Sequence, residues 1–178
     1  MSTVTIRPAN LEDAAGLAHL AEYTFRDTFA TNNNLTDMEL HCAENFGVDV
    51  QRQELLDDNS VTLLAETADQ LVAFAQVWLC SPKACVTAQH SSELHRLYVT
   101  QEWQGRGVAH ELMSRSLSIA AKAGADAIWL GVWEENPRAI AFYRKYGFQA
   151  VGEHVFQFGN DPQRDLVMMT AIDESWIA

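Results

Sequence analysis

Leu97-Tyr98-Val99-Thr100-Gln101-Glu102-Trp103-Gln104-Gly105-Arg106-Gly107-Val108-Ala109 reads as a strand, a tight turn carrying two glycines, and the first turn of a helix that runs to about Ala123. A helix start leaves several backbone N–H groups without intrahelical partners, with the positive end of the helix dipole behind them. That makes the junction an anion seat. Gly105 and Gly107 would let a phosphate come close to the backbone, and Arg106 between them could add a charge-assisted contact. The spacing is not that of a dinucleotide fold: position 110 is His, and no acidic residue closes a following strand at the ribose distance. No Lys-Ser/Thr pair follows the glycines, which disfavours a nucleoside-triphosphate loop. As a bare pattern, the turn also fits a close-packed strand-to-helix connection without a ligand.

Outward from this junction, Glu93 to Val99 is a strong strand leading in, and Asp126 to Val132 is the next one after the helix. Strand, helix, strand in that order implies a right-handed crossover between parallel strands. Asn136-Pro137 then starts another helix, Asn as cap and Pro at its first position, ended by Gly147. Upstream, Val61 to Glu66 and Leu71 to about Cys80 form an antiparallel hairpin through Ala68-Asp69-Gln70. Thr3 to Arg7 alternates as a short strand, and Asn10 caps a helix reaching about Phe29. Two shorter helices follow over roughly 37–45, capped by Thr36 with Glu39, and 49–58. Phe148 to Glu153 and Leu166 to Ile172 form a last strand pair joined by a long turn, His154–Asp165. The expected architecture is α/β, a mixed central sheet flanked by helices, in a single domain over 1–178.

Composition fits one globular domain, with 48% apolar residues in 178. Twelve Lys and Arg against twenty-four Asp and Glu leave a net charge of −12, which argues against a nucleic-acid or anionic-membrane surface. Cationic or neutral partners are favoured. Cys42, Cys80 and Cys85 have neither the number nor the spacing of a disulfide scaffold or zinc site, and suit a reducing cytoplasm. The six histidines share no ligand spacing, so no metal is expected. No segment has the length of a signal or membrane span.

Parallel neighbours bring their carboxyl ends together, where ligands of open α/β sheets bind, so the ends at Val99 and Val132 define a crevice. Tyr143 lies two helical turns beyond Asn136, and both could face it. The turn, the crevice and the helix after it resemble the GCN5-related N-acetyltransferase superfamily. Gln104, Gly107 and Ala109 match its Q/R-x-x-G-x-G/A turn, preceded by Leu97-Tyr98-Val99. Leu130-Gly131-Val132, Asn136, Ala139, Ile140, Phe142, Tyr143 and Tyr146-Gly147-Phe148 resemble its second signature. The match is strong over about 61–172. The segments Phe25–Phe29, Glu93–Val99 and His154–Asp165 are similar to PaiA-like spermidine/spermine N-acetyltransferases. Thr100 stands where the superfamily often has Pro.

The resemblance implies a splayed parallel strand pair that takes acetyl-CoA, with no metal, and acetyl transfer to a small primary amine, a polyamine among the candidates, by direct attack. Transfer to a protein N-terminus, an amino acid or an antibiotic is the alternative within enzymes, and a non-catalytic acyl-CoA-binding regulator is the alternative outside them. Leu97, Val99, Gln104, Gly105, Arg106, Gly107, Val108, Ala109, Asn136 and Tyr143 are the implied cofactor-binding set, with Tyr143 also the general acid. Tyr143 could otherwise be a packing residue, Asn136 a simple cap, and Arg106 a solvated helix residue. Glu93 and His95, on one side of one strand, are the candidate base and relay, or structural groups. Phe25, Phe29, Glu22, Asp27 and His154 are the candidate acceptor-binding residues, with core packing the competing role for the aromatics. A homodimer is compatible with the resemblance, and no residue pattern specifies one.

Overall fold

A computed structural model describes residues 3–177; Met1, Ser2 and Ala178, the ends of the expected domain, lie outside the described residues. The chain runs β1 (Thr5–Pro8), α1 (Ala14–Phe29), α2 (Leu35–Asn45), α3 (Val48–Leu56), β2 (Ser60–Glu66), β3 (Leu71–Trp78) and β4 (Ser91–Val99). It continues through α4 (Val108–Lys122), β5 (Ala127–Trp133), α5 (Pro137–Arg144), β6 (Gln149–Phe158) and β7 (Asp161–Ala171). The strands form one seven-stranded sheet in the order β1-β2-β3-β4-β5-β7-β6. Among the described residues, only β4 and β5 are parallel neighbours. Among the described residues no helix is long and apolar enough to cross a membrane.

Each face of the sheet carries its own core. Leu63, Ala75, Val77 and Leu94 turn to one side and meet Leu112, Met113 and Leu117 of α4. The other side carries Leu64 and Phe74 against Leu17, Leu20 and Phe25 of α1 and Met38 and Cys42 of α2. β3, sandwiched between them, is buried from Val72 to Val77, which is why it reads as a continuous apolar run rather than an alternation. Burying each such Leu side chain contributes about 1.5–3 kcal/mol, so these two layers hold α1 and α4 at fixed positions on opposite faces.

Local signals set the helix ends. Asn10 accepts from the Glu12 N–H at 2.8 Å while Asp13 accepts from the Asn10 N–H at 2.8 Å, a closed capping box. The expected cap at Thr36 is corrected to Asn34, whose side chain accepts from the Asp37 N–H at 2.8 Å. Asn34 is the better cap because its side-chain carbonyl reaches the third helical residue, leaving Thr36 free within the first turn. The long turn expected over His154–Asp165 is also corrected: β6 and β7 pair through Phe158 and Asp161, leaving Gly159 and Asn160 as the whole turn. Pro162 is tolerated in β7 because β5 ends its pairing at Asp165, so the missing N–H falls on a free edge.

The gap between β4 and β5 is the feature that matters for chemistry. They pair only at Ser91, Ser92 and Glu93 with Ala127, Ile128 and Trp129. Beyond that point, His95 is an extra residue in β4, since Gln76 pairs with Arg96 and the next residue, Val77, with Leu94. Such a bulge bends its strand. β4 therefore leaves β5 while remaining paired to β3, and a V opens between Arg96–Val99 and Leu130–Trp133.

Candidate active site

At the mouth of the V, Gly105 and Gly107 adopt φ of +73° and +86°, backbone that other residues occupy only with strain. Gln104 fixes the turn by donating from Nε2 to the Val99 carbonyl at 3.0 Å. Among the described residues, no protein oxygen accepts from the N–H groups of residues 105–110. They stand at the positive end of a fifteen-residue helix. Arg106 is exposed and lies over the Trp103 ring at 5.2 Å. Val108 is buried in the core, anchoring the helix start, while Leu97, Val99 and Ala109 are half-buried around it. Asn136 caps α5 by accepting from the Ala139 N–H at 3.2 Å.

Tyr143 enters the V from α5, its ring against Phe142 and Phe148. Burial pushes its hydroxyl up to about 12, and among the described residues that hydroxyl has no hydrogen-bond partner. Tyr98 enters from the other face, with Phe25 and Phe74 at its ring. Its hydroxyl is also well above the usual range, first through burial, then through the neighbouring Tyr143 and Asp165, with Arg96 opposing. The Tyr98 hydroxyl thus lies within electrostatic reach of both Tyr143 and the Asp165 carboxylate.

Glu93, in the last paired position facing Trp129, sits at the vertex of the V. Ser81 donates to its Oε2 at 2.7 Å, and His95 Nδ1 lies 3.0 Å from its Oε1. Burial works against the Glu93 anion, but His95, Ser81 and Lys83 together outweigh it and hold the carboxyl below the usual range. It is ionised at neutral pH and already joined to an imidazole, so the two expected residues do form a pair.

The acceptor-side expectations divide. Phe29 reaches the V and meets Trp133 edge-on at 5.9 Å. Phe25 is core, 4% exposed and stacked on His41 and Phe158. Glu22 is corrected away from the site: it pairs with Arg26 at 2.8 Å in the groove between α1 and α2. Asp27 is also corrected, being exposed on the side of α1 opposite Phe25. His154 lies in register with Asp165, its Nε2 3.7 Å from Oδ2, and its Nδ1 is buried without a partner.

Asp165, Tyr98 and Trp133 also border the V, and no local sequence signal marks them. Asp165, expected in a turn, is a strand residue set opposite Trp133 by the β5–β7 register and opposite His154 by the β6–β7 register. Gly131 completes the group. It is exposed although it lies within a central strand, and a Cβ there would stand 3.0 Å from His154 Cε1 and 3.3 Å from Asp165 Oδ2. Glycine keeps that wall of the V open down to the backbone.

Residues 23–148 match the model of the acetyltransferase (GNAT) family. An N-acetyltransferase of Lactobacillus delbrueckii subsp. lactis, from the pepI 3′ region, is 24% identical over 172 residues, 97% of this chain and 99% of that protein. An N-acetyltransferase of Mycobacterium tuberculosis is 42% identical over 77 residues, 43% of this chain and 49% of that protein. The solved PaiA N-acetyltransferase of Thermoplasma acidophilum, in complex with coenzyme A, superposes with a TM-score of 0.76 at 21% identity, covering 95% of this chain and 99% of that one. At that identity the likeness is one of fold.

Proposed function

From the premise that this chain belongs to the acetyltransferase (GNAT) family, an acyltransferase fold carrying the V described above, we propose that it moves an acetyl group from acetyl-CoA to a small primary amine, a polyamine among the candidates, by direct attack. The observation that carries the reading is the run of unpaired N–H groups at residues 105–110, at the end of the splayed strand β4 and against α5 through His110 and Phe142 at 5.1 Å. Such groups at a helix start suit a pyrophosphate. The V runs from that seat toward the vertex at Glu93, and it suits an extended pantetheine arm. Acetyl-CoA, when bound, supplies the activated thioester.

In the reaction the amine nitrogen forms a bond to the acetyl carbon, the carbon–sulfur bond breaks, the nitrogen loses a proton and the sulfur gains one. Glu93 and His95 are assigned the nitrogen's proton, taken directly or through one water, because they form a carboxylate–imidazole pair at the vertex. Tyr143 is assigned the sulfur. A phenol near 12 facing a thiolate of ordinary pKa of about 8.5 holds its proton by about 3.5 pH units. It therefore acts first as a hydrogen-bond donor to developing negative charge, and completes proton transfer only as the nitrogen's proton becomes available. Asn136 and the 104–109 turn position the donor.

The test follows thiol release with acetyl-CoA and a panel of spermidine, spermine, short diamines, amino acids, an aminoglycoside and a peptide N-terminus. Turnover confined to the small amines supports the reading. Turnover of peptides alone would replace the acceptor class, and background rates throughout, with acetyl-CoA still bound, would replace catalysis by a binding role.

A further inference from the structure

We infer that Asp165 receives the ammonium group of the acceptor, in a box completed by His154, Trp133, Phe29 and Tyr98 and opened to the V by Gly131. The inference rests on the reading that the acceptor is a cationic amine.

It starts from an unbalanced carboxylate. Asp165 is 7% exposed, and among the described residues no donor lies within hydrogen-bond distance of it. A buried carboxylate ordinarily has several donors or a close cation, because desolvating an unpaired charge is expensive. The nearest basic group, His154 Nε2, is 3.7 Å away, too far for a hydrogen bond. The neighbouring arginine does not help: Arg164 turns outward to Glu134 at 3.2 Å and to Glu153. Arg96 is committed to Glu54 at 2.6 Å and to Gln76. Among the described residues, both of these arginines are thus engaged elsewhere, which leaves the side of Asp165 toward the V open to a partner from solvent.

The surroundings select the kind of cation. Trp133 is the register neighbour of Asp165 on β5, and Phe29 stands edge-on to it at 5.9 Å. Rings beside a carboxylate favour an organic ammonium, whose charge is met by the oxygen and whose methylenes lie against the π faces. A metal ion would require further ligands, and among the described residues no third His, Cys, Asp or Glu joins Asp165 and His154 to hold one. Gly131 sets the entrance, since its hydrogen stands where a methyl would come within 3.0 Å of His154 and 3.3 Å of Asp165. Tyr98 stands on the β4 side of the box, its ring set against Phe25 and Phe74, and its hydroxyl senses the Asp165 charge. Asp165 thereby becomes the specificity-determining residue for acceptor charge, separate from the Glu93–His95 pair at the vertex.

Calorimetric titration of spermidine, 1,4-diaminobutane and uncharged 1,4-butanediol into coenzyme A-loaded protein tests this without depending on turnover. Wild type should bind the amines and not the diol. Asp165→Asn, which removes a charge-assisted contact, should weaken amine binding tenfold to a hundredfold and leave coenzyme A affinity unchanged. Gly131→Ala keeps the carboxylate but closes the entrance, and should weaken the same amines at least tenfold; it decides the matter should Asp165→Asn fail to fold. Equal amine affinity in wild type and both variants, binding of the diol as tightly as the diamine, or no amine binding by wild type would overturn the assignment. Amine binding that Asp165→Asn abolishes, without thiol release from wild type, would uphold Asp165 and overturn the transfer reaction.

Discussion

Replacing Tyr143 by Phe removes one oxygen and leaves the ring. The ring's contacts with Phe142 at 5.6 Å and Phe148 at 5.9 Å do not involve the hydroxyl, and the bonds to Tyr146 and Phe148 use the Tyr143 main-chain carbonyl. Among the described residues no group loses a hydrogen bond, so the cost to stability should stay below about 1 kcal/mol. Activity should respond quite differently. The hydroxyl, raised to about 12, is a neutral donor throughout the working range, and its contact with developing thiolate is a hydrogen bond to charge. That is worth about 1.5–3 kcal/mol, or roughly 10- to 150-fold. Single-turnover measurement with the best amine of the panel, acetyl-CoA saturating, should show that loss in the chemical step with the amine's binding unchanged. The same elevation from 10 to about 12 predicts that wild type shows no alkaline limb near pH 10 from this residue. An unchanged single-turnover rate in Tyr143→Phe would refute the role at sulfur. A wild-type limb near pH 10 that disappears in the variant would refute the burial argument.

Three further outcomes follow from other parts of the fold. Gly107→Val places a branched side chain at φ +86°, a backbone cost of about 1–2 kcal/mol, and crowds the proposed phosphate seat; the KM for acetyl-CoA should rise at least tenfold, with the amine KM little changed. Glu54→Ala leaves the Arg96 guanidinium, 9% exposed, without its partner at 2.6 Å, and chemical denaturation should show a loss of about 3–5 kcal/mol. His41, packed among Phe25, Phe46, Phe156 and Phe158, is pushed down to about 4 by burial, with Arg96 adding to it. A depressed histidine stays neutral in the folded state while the unfolded chain takes up its proton, so its contribution to stability is present above about pH 6.5 and is lost as pH falls towards 4. Unfolding free energy measured between pH 7 and 4 should fall less steeply in His41→Phe than in wild type, by on the order of 2–3 kcal/mol across that window.

What could be read from the sequence depended on how far apart the interacting residues are along the chain. The turn at Gly105–Gly107, the Asn136-Pro137 start, the Asn10 cap and the glycine stops at 124 and 147 all act within one helical turn. Their chemistry is local, and the structure keeps each of them. The strand, helix, strand order around α4 also sufficed for the parallel pair, since the crossover has one allowed hand. Where a local rule has two satisfactory answers the sequence alone does not decide between them, as with Thr36 against Asn34, or Gly159-Asn160-Asp161-Pro162 as the tip of a long turn against a two-residue one. The alternation of Val155, Gln157 and Arg164 outward with Phe156, Phe158 and Asp165 inward is the period of a half-exposed hairpin, but two glycine- and proline-bearing dipeptides hid it.

The sequence by itself determined the local features on which the proposed donor site rests: a glycine turn at a helix start, next to a parallel crossover, with an asparagine and a tyrosine two turns apart on the following helix. Those features lie within about fifty residues and are specified by spacing. Tertiary structure decided the rest. The bulge at His95 parts β4 from β5, and no propensity of a single strand encodes a divergence between two. The meeting of Tyr98, Gly131, His154 and Asp165 draws on four strands, so it exists only once their registers are set. A carboxylate's environment, unlike a glycine's turn, is made entirely by residues distant in the chain, which is why Asp165 was invisible until the sheet was assembled.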